Sequence, residues 1–423
     1  MSDVPGDEAA LPEPLARGAR EPWPSFLRAF GWIGLNSFGG PVAQLGVVHE
    51  ELCDKRAWLS EQQLLQVIAF ANLLPGPEAL EVIIHLGAVR RGRLGGVVAG
   101  LLFVWPGVAA MLALGALYAA FGPDPHVVGL FAGIRPVAAA LIAAAMVRLA
   151  GRSIRGFAAL ALAAGALAAS WLGVAFPLVL LGCGLAGALL RPRGAAAAGR
   201  PAARGVRASM LALGLVTLVG SFVLPRAASA PAAVAARAAA ASPRAPATAL
   251  QVAWLCTRTS LLTFGGAYTS LPYLREQAVE RHHWLGDAQV VDALALGETT
   301  PGPLISVAIF VAYTAAGPVG GLLGALGLFA PTFLLVLALM PFAARVTHLP
   351  RLAGVLAGVA AGTLGLIAAL SARVLPTVVS GWFEAAIALA AFVAVAPFWV
   401  KSRVSPLWVV GAGAILGLSR ALL

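Results

Sequence analysis

Long apolar runs fill most of this chain, and short clusters of charged and turn-forming residues separate them. Six runs lie in the first half, near 25–48, 63–89, 94–120, 126–149, 156–172 and 174–190. A lone run follows near 208–224, and six more lie near 250–272, 289–315, 320–344, 352–375, 380–397 and 405–422. A bilayer's hydrocarbon core is about 30 Å thick, and runs of this length reach across it, the fifth and sixth only barely. The pattern predicts an all-α polytopic membrane protein.

The two halves of the chain repeat one another in register. The landmarks of the first half recur 226 residues later; they are Phe38-Gly39-Gly40 with Phe264-Gly265-Gly266, Trp58 with Trp284, and Pro75-Gly76-Pro77 with Pro301-Gly302-Pro303. Three separated landmarks with one offset indicate an internal duplication. The predicted organisation is a disordered cytosolic tail over 1–24, a first membrane repeat over 25–190, a linker over 191–247 with an extra transmembrane span near 208–224, and a second membrane repeat over 248–423.

Composition excludes a soluble protein and argues against nucleic-acid binding. Hydrophobic residues make up 60% of the chain and charged residues 11%, with a mean hydropathy of +0.88, so lipid must be the main solvent. The net charge of +11 comes from short basic clusters between apolar runs, as in cytoplasmic loops that face anionic lipid. Three separate cysteines form no CxxC pair, and no metal or cofactor is expected.

The charge pattern predicts the orientation of the chain. If all thirteen segments cross, the loops on one side carry 17 Lys and Arg residues and those on the other side 6. By the positive-inside rule the first side is cytoplasmic, which places the N-terminus inside and the C-terminus outside. The lone central span then inverts the second repeat relative to the first. An alternative is that broken segments are re-entrant, with the first span turning back at Phe38-Gly39-Gly40 because His49–Glu61 is too charged for hydrocarbon.

The repeated Gly and Pro positions predict a substrate site built from broken helices. Proline cannot continue a helix but suits its first position, so each Pro-Gly-Pro marks the end of one half-helix and the start of another. A helix start inside a membrane favours an anion, and paired breaks are typical of transporter sites. The predicted substrate-binding residues are Ser37, Phe38, Gly39, Gly40, Pro75, Gly76, Pro77, Thr263, Phe264, Gly265, Gly266, Thr300, Pro301, Gly302 and Pro303. The competing interpretation is that these residues only kink or pack the helices.

Ionisable residues inside apolar runs are functional candidates. Glu78 and Glu298 lie beside the two Pro-Gly-Pro breaks and are the candidates for proton coupling. Glu81 and His85 share roughly one helical face with Glu78. The alternative for Glu78 is a carboxylate that only complements the helix dipole. Arg135 and Arg258 are expected to form structural pairs rather than to attract the anion.

These motifs together resemble the chromate ion transporter family in its two-domain long form. The resemblance covers both repeats, and the family signature falls on Phe38, Gly39, Gly40, Pro41, Trp58, Pro75, Gly76, Pro77 and Glu78, and on Phe264, Gly265, Gly266, Trp284, Pro301, Gly302 and Pro303. It implies a multi-pass protein of the bacterial inner membrane with antiparallel halves. It also implies export of chromate, driven by the membrane potential or the proton gradient, and chromate resistance. His85, Trp105 and Ala267 depart from the family pattern.

Two other functions stay open on sequence grounds. Sulfate or another tetrahedral oxyanion has the shape and charge of chromate, so a sulfate-like substrate is the first alternative. An intramembrane lipid-modifying enzyme using Glu78, Glu298 and His85 is the second and weaker one, because inverted repeats are typical of transporters. No phosphate-binding loop or catalytic triad motif is found, so the protein is not expected to be an enzyme. Whether it forms a homodimer is open.

Overall fold

A computed structural model describes residues 21–122, 124–154, 156–190, 247–264, 267–343, 350–379, 381–395 and 406–422, and every element within them is helical. The central run near 208–224 and most of the predicted tail and linker lie outside this part. The first repeat contains α1 (Trp23–Asn36), α2 (Pro41–His49), α3 (Glu61–Ala71), α4 (Glu78–Phe121), α5 (Pro125–Ser153), α6 (Phe157–Trp171) and α7 (Phe176–Leu190). Helix α1 thus begins two residues inside the predicted tail.

The second repeat contains seven helices in the same order. They are α8 (Ala249–Leu261), α9 (Leu271–Arg275), α10 (Asp287–Thr299), α11 (Val307–Leu339), α12 (Pro350–Val378), α13 (Trp382–Val395) and α14 (Pro406–Leu422). Short π-helical turns follow α2 at Glu50–Lys55 and α9 at Glu276–Arg281, again 226 residues apart. The backbone N–H groups of Trp58 and Trp284 close these turns on the carbonyls of Leu52 and Ala278, both at 2.8 Å. The duplication therefore extends to irregular backbone.

Helices α1 and α2 form a hairpin rather than the single span predicted near 25–48. Gly39 has a φ of +83°, a conformation that favours glycine, and it ends the helical path. Beyond α2, Arg56 donates from Nη1 to Ser25 Oγ at 3.2 Å, so the two ends of the hairpin lie side by side. The turn lies where the re-entrant alternative names it.

The predicted spans near 63–89 and 289–315 are also broken hairpins. In the first repeat, α3 runs inward to Pro75-Gly76-Pro77, and the chain returns as the first arm of α4. Leu59 and Gln63 line one small cavity with Leu86 and Val89, so the start of α3 lies beside the end of that arm. Two proline rings flanking a glycine prevent a continuous helix, which explains why each run is divided.

Helices α4 and α11 each fold back on themselves at a matching glycine. Gly92 has a φ of +70° and Gly317 a φ of +68°, and they separate a first arm (78–90 and 307–315) from a second arm (93–121 and 318–339). A Cβ added to Gly87 would lie 2.5 Å from Ala99 Cβ, and one added to Gly324 would lie 2.6 Å from Ala312 Cβ. The arms therefore pack antiparallel in close contact.

Equivalent helices of the two repeats meet and run in opposite directions. Gly96 packs against Leu337, and Leu112 packs against Gly321, so the second arms of α4 and α11 are antiparallel. The repeats also exchange helices: α5 packs on α13 and α14 of the other repeat, and α12 packs on α6 and α7. The two halves thus form one interlocked bundle.

Four helical segments are long and apolar enough to cross a membrane: Glu78–Phe121, Pro125–Gly151, Leu304–Phe342 and Leu352–Val378. Large apolar side chains cover the outside of the bundle, and Trp105, Leu94 and Leu101 are all more than half exposed. Surface of this kind requires lipid contact. The protein is a polytopic membrane protein.

The hairpins correct the sides predicted for four basic residues. Lys55 and Arg56 were expected opposite Arg90, but Arg90 and Arg56 both lie over the Trp58 ring. Arg275 and Arg281 were expected opposite Arg373, but the three line one cavity of about 310 Å³. Each hairpin returns its end to the side where it began. Exchanging these two pairs leaves the totals of basic residues at 17 and 6.

Candidate functional site

The two Pro-Gly-Pro breaks lie at a seam between the repeats. The Gly76 N–H donates to the Thr263 carbonyl at 2.9 Å, and the Gly302 N–H donates to the Ser37 carbonyl at 2.8 Å. These two bonds are equivalent under the 226-residue offset. Each break is thus bonded to the turn between the first two helices of the other repeat, and residues predicted separately are brought together.

Glycine is required at both breaks. Gly76 and Gly302 have φ values of +145° and +91°, which other residues rarely adopt. A Cβ added to Gly76 would lie 2.6 Å from a carboxylate oxygen of Glu81, and one added to Gly302 would lie 3.2 Å from the Phe103 carbonyl. The backbone at the seam is therefore packed tightly from both sides.

Gln44 joins the two repeats and was missed by sequence reasoning. Its side-chain amide is buried and donates to the Gly39 carbonyl at 2.8 Å and to the Gly302 carbonyl at 2.7 Å. One side chain thereby connects the first turn of repeat one to the break of repeat two. A single amide inside the apolar run of α2 was the only signal for it.

The predicted hydroxyl residues are buried and bonded to their own helices. Ser37 Oγ donates to the Ile33 carbonyl and Thr263 Oγ1 to the Thr259 carbonyl, both at 2.6 Å, and Thr300 Oγ1 donates to Gly297 at 3.1 Å. Their protons are thus committed to backbone, while their oxygen lone pairs are available as acceptors. Phe38 and Phe264 are half-buried beside them. Gly265 and Gly266 lie outside the described residues.

Three helices begin around the breaks without a side-chain cap. Gly40 precedes α2, Pro77 precedes α4 and Ser306 precedes α11, and none of them makes a capping hydrogen bond through its side chain. Unpaired N–H groups at helix starts, with the positive end of the helix dipole, favour an anion. A Cβ added to Gly40 would meet nothing within 4 Å, so open space adjoins the start of α2.

The two candidate proton carriers are both buried. Glu298 ends α10 and accepts a hydrogen bond from the Tyr268 hydroxyl, with the Arg148 charge nearby. Glu78 is the first residue of α4, directly after Pro77. Glu81 lies one turn further along, and both of its carboxylate oxygens are without a hydrogen-bond partner in the described part of the chain.

Arg135 pairs with an acid that sequence reasoning did not single out. Its Nε lies 2.7 Å from Asp292 Oδ1 and its Nη2 lies 3.0 Å from Oδ2, while the Tyr118 hydroxyl donates to Oδ2 at 3.0 Å. This confirms the expectation of a structural pair for Arg135. Arg258 instead lies over the Trp254 ring, 4.8 Å from its centroid. Within the described ranges, no group of His, Cys, Asp and Glu could hold a metal ion.

Comparison with known proteins gives a consistent answer. Residues 25–188 and 250–418 match the Chromate transporter family. The chain is 34% identical to a chromate transport protein of Pseudomonas aeruginosa, over 85% of this chain and 81% of that one. It is 27% identical to a chromate transport protein of Cupriavidus metallidurans, over 91% and 90%. It is also 29% identical to the uncharacterized transporter YwrB of Bacillus subtilis, over 29% and 61%.

No solved structure matches the chain significantly. The family match covers both repeats and therefore most of the sequence, including both Pro-Gly-Pro breaks and the turns bonded to them. The chain belongs to the chromate transporter family.

Proposed function

We propose that this protein is a secondary transporter that exports chromate from the cytoplasm and confers chromate resistance. The family match and the two relatives named as chromate transport proteins support the substrate. The observation that carries the proposal is the reciprocal pair of bonds between each break and the opposite turn. Such a seam can open on either side of the membrane with nearly the same local geometry, as alternating access requires.

The repeats have inverted topology in this proposal. The antiparallel second arms of α4 and α11 support it, and so does the excess of basic residues on one side. The N-terminus is then cytoplasmic and the C-terminus outside. This arrangement needs the run near 208–224 to cross once, because each repeat begins and ends on the same side.

The oxyanion binds at the helix starts around the seam. Backbone N–H groups at the starts of α2, α4 and α11 supply donors, and Gly40 leaves room for the ligand to approach backbone. Such donors read shape and charge rather than the central atom. A sulfate carrier is therefore the second candidate function, since sulfate offers the same tetrahedral dianion.

Energy comes from the membrane potential or the proton gradient, with Glu78 and Glu298 as candidate proton carriers. Moving one charge across 100 mV is worth about 2.3 kcal/mol, so an exported dianion gains substantially from an inside-negative potential. Glu78→Gln and Glu298→Gln, made separately, test the carriers. If transport and its pH dependence survive both changes, neither residue is the carrier.

The test of substrate and direction is uptake of radiolabelled chromate by everted membrane vesicles under an imposed potential or proton gradient. Accumulation above empty-vector vesicles is expected. Excess unlabelled sulfate competes strongly if the site reads only shape and charge. If no chromate moves under either driving force, the proposed substrate is wrong.

A matched pair of glycine variants tests the site. Gly40→Ala adds a methyl group in open space beside the start of α2, so folding is kept while ligand approach is obstructed. We expect chromate affinity to fall about tenfold, the effect of losing roughly 1.4 kcal/mol of contact. Gly46→Ala, five residues before the end of the π turn's first residue pair and also in open space, is the control and should bind normally. Equal affinity in both variants would remove the start of α2 from the site.

A further inference from the structure

Glu81 is the buried acid of the seam that has no partner. Its side chain lies on the first arm of α4 and is 1% exposed, and neither carboxylate oxygen has a hydrogen-bond partner among the described residues. An ionised carboxylate in that position would lose its hydration with no donor to replace it. The carboxyl group is therefore neutral in this conformation.

The surroundings of Glu81 connect it to the opening of the seam. A Cβ added to Gly76 would lie 2.6 Å from Glu81 Oε1 and 2.8 Å from Thr332 Oγ1, so carboxyl and hydroxyl both cover the bonded break. Thr332 Oγ1 also lies 3.2 Å from Ser260 Oγ on α8. Separating the repeats here would expose Glu81 to water.

The titratable groups near Glu81 lie on its own helix. Glu78 is its charged neighbour in the described part of the chain, and His85 follows one turn later with Nδ1 unpartnered and its ring edge-on to Phe70 of α3. The other repeat presents the hydroxyls of Ser260 and Thr332. No base faces Glu81 from these packed elements, so its proton exchanges with water when the seam opens.

The opposite seam lacks this acid. Val307 stands at the position equivalent to Glu81, and Gly107 stands at the position equivalent to Thr332. A Cβ added to Gly107 would lie 2.5 Å from the Pro301 carbonyl, so that seam is filled by backbone. Of these two equivalent positions, only the Glu81 side holds a carboxyl group.

We propose that Glu81 carries one proton outward with each oxyanion. This inference rests on the proposed function and deepens it. A dianion at the start of α4 repels an ionised Glu81 one turn away, so the loaded site favours the neutral acid. On the far side the O–H bond breaks, the proton passes to water as the anion leaves, and the empty carrier takes another proton from cytoplasmic water.

The proposal fixes the charge moved in each cycle. A dianion with one proton carries a single negative charge, whereas the dianion alone carries two. Glu81→Gln has the shape of the neutral acid and cannot release a proton, so it should move the dianion alone. Glu50→Gln is the control, because Glu50 is an exposed residue of the π turn paired with Lys55.

The experiment measures reversal potentials for chromate in proteoliposomes at several internal pH values. Wild type and Glu50→Gln should move one charge per chromate, and their flux should rise as the pH of the compartment supplying chromate falls. Glu81→Gln should move two charges per chromate without pH dependence. Chromate exchange at equal concentrations shows that the variant is folded and should remain within about twofold of wild type, since 1 RT of binding energy is about 0.6 kcal/mol.

Several outcomes separate the two proposals. If wild type and Glu81→Gln move the same charge with the same pH dependence, Glu81 is not the carrier while chromate transport stands. The same holds if pH dependence is lost in Glu298→Gln instead. If wild type moves no chromate, the proposed function fails and this inference fails with it. A hydrophobic carbodiimide, which reacts with protonated buried carboxyl groups, should label Glu81 without any chromate, and absence of labelling would overturn the neutral acid independently.

Discussion

A buried ion pair without a counterpart in the other repeat connects Arg135 to Asp292. Asp292 is fully buried, and the equivalent positions of Arg135, Asp292 and Tyr118 are Ala360, Gln66 and Ala343. The pair holds α5 of the first repeat against α10 of the second. Because it exists on one side only, the two halves of the bundle are not energetically equal despite their shared backbone.

Removing one partner of this pair should destabilise the protein strongly. Arg135→Ala leaves a buried carboxylate with the Tyr118 hydroxyl as its remaining donor, and breaking a buried pair typically costs about 3–5 kcal/mol. Thermal unfolding in detergent measures the loss. Arg135→Ala with Asp292→Ala should recover part of it.

The exposed pair Arg420–Glu384 provides the control for that prediction. Its Nη1 to Oε1 distance is 2.6 Å, but the Arg420 side chain is 58% exposed. Arg420→Ala should therefore change stability by at most about 1 kcal/mol. If Arg135→Ala and Arg420→Ala melt alike, the buried pair has no special structural weight.

Repetition made the backbone of the site predictable, but single residues were not. The Pro-Gly-Pro and Phe-Gly-Gly landmarks appear twice at one offset, so their joint importance could be read from the chain. Gln44 and Asp292 appear once, inside apolar or mixed runs, and their partners lie 258 and 157 residues away. A linear sequence contains no distances of that kind, so these contacts could not be predicted.

Helices exchanged between the repeats cross at glycines. A Cβ added to Gly358 on α12 would lie 2.1 Å from the Cys183 carbonyl on α7, and one added to Gly133 on α5 would lie 2.0 Å from the Gly413 carbonyl on α14. Gly133 and Gly358 are equivalent positions, 225 residues apart. Small residues at such crossings let helix backbones approach closely in a membrane, where packing drives association.

Gly358→Ala should weaken this crossing measurably. The contact is with backbone, which cannot rotate away, so we expect a loss of about 1–3 kcal/mol and a lower melting temperature in detergent. Gly182→Ala is the matched control on α7, because a Cβ there meets nothing within 4 Å. Its stability should be unchanged or slightly higher. A Gly358→Ala protein that melts with wild type would contradict the tight crossing.

The positions of the helix pairs could be predicted, but their folding back could not. Hydrophobic runs identify segments that avoid water, yet a hairpin of two half-helices and one full crossing bury similar numbers of apolar residues. The φ values of Gly39, Gly92 and Gly317 decide between them, and a glycine letter does not reveal its conformation. Charge at His49–Glu61 was the one sequence signal for the first hairpin.

Inverted topology for the whole molecule can be tested with one natural and one introduced thiol. Val279 is the position equivalent to Cys53, and both are half-buried. With a membrane-impermeant maleimide, Cys53 should react in everted vesicles. The Val279→Cys thiol, in a Cys53→Ala background, should react in right-side-out vesicles. Reaction of both thiols from the same side would show parallel repeats.

The pH dependence of Cys53 labelling provides a further check. Burial raises the pKa of the Cys53 thiol, and the nearby Asp54 and Glu61 carboxylates raise it further. The reactive thiolate is therefore scarcer at pH 7 than for a free cysteine, and labelling should continue to accelerate at pH values where a free cysteine has reached its maximum. A rate that levels off at the pH of free cysteine would contradict this environment.

The exchange of helices between repeats has a consequence for biosynthesis. Helix α5 finds its neighbours α13 and α14 only after the second repeat has been made, and α7 waits for α12 in the same way. At 5–20 residues per second, the delay of 226 residues lasts roughly 10–50 s. During that interval the first half must remain in the membrane with its glycine crossings uncovered, so a ribosome that stops midway releases a product with no finished core.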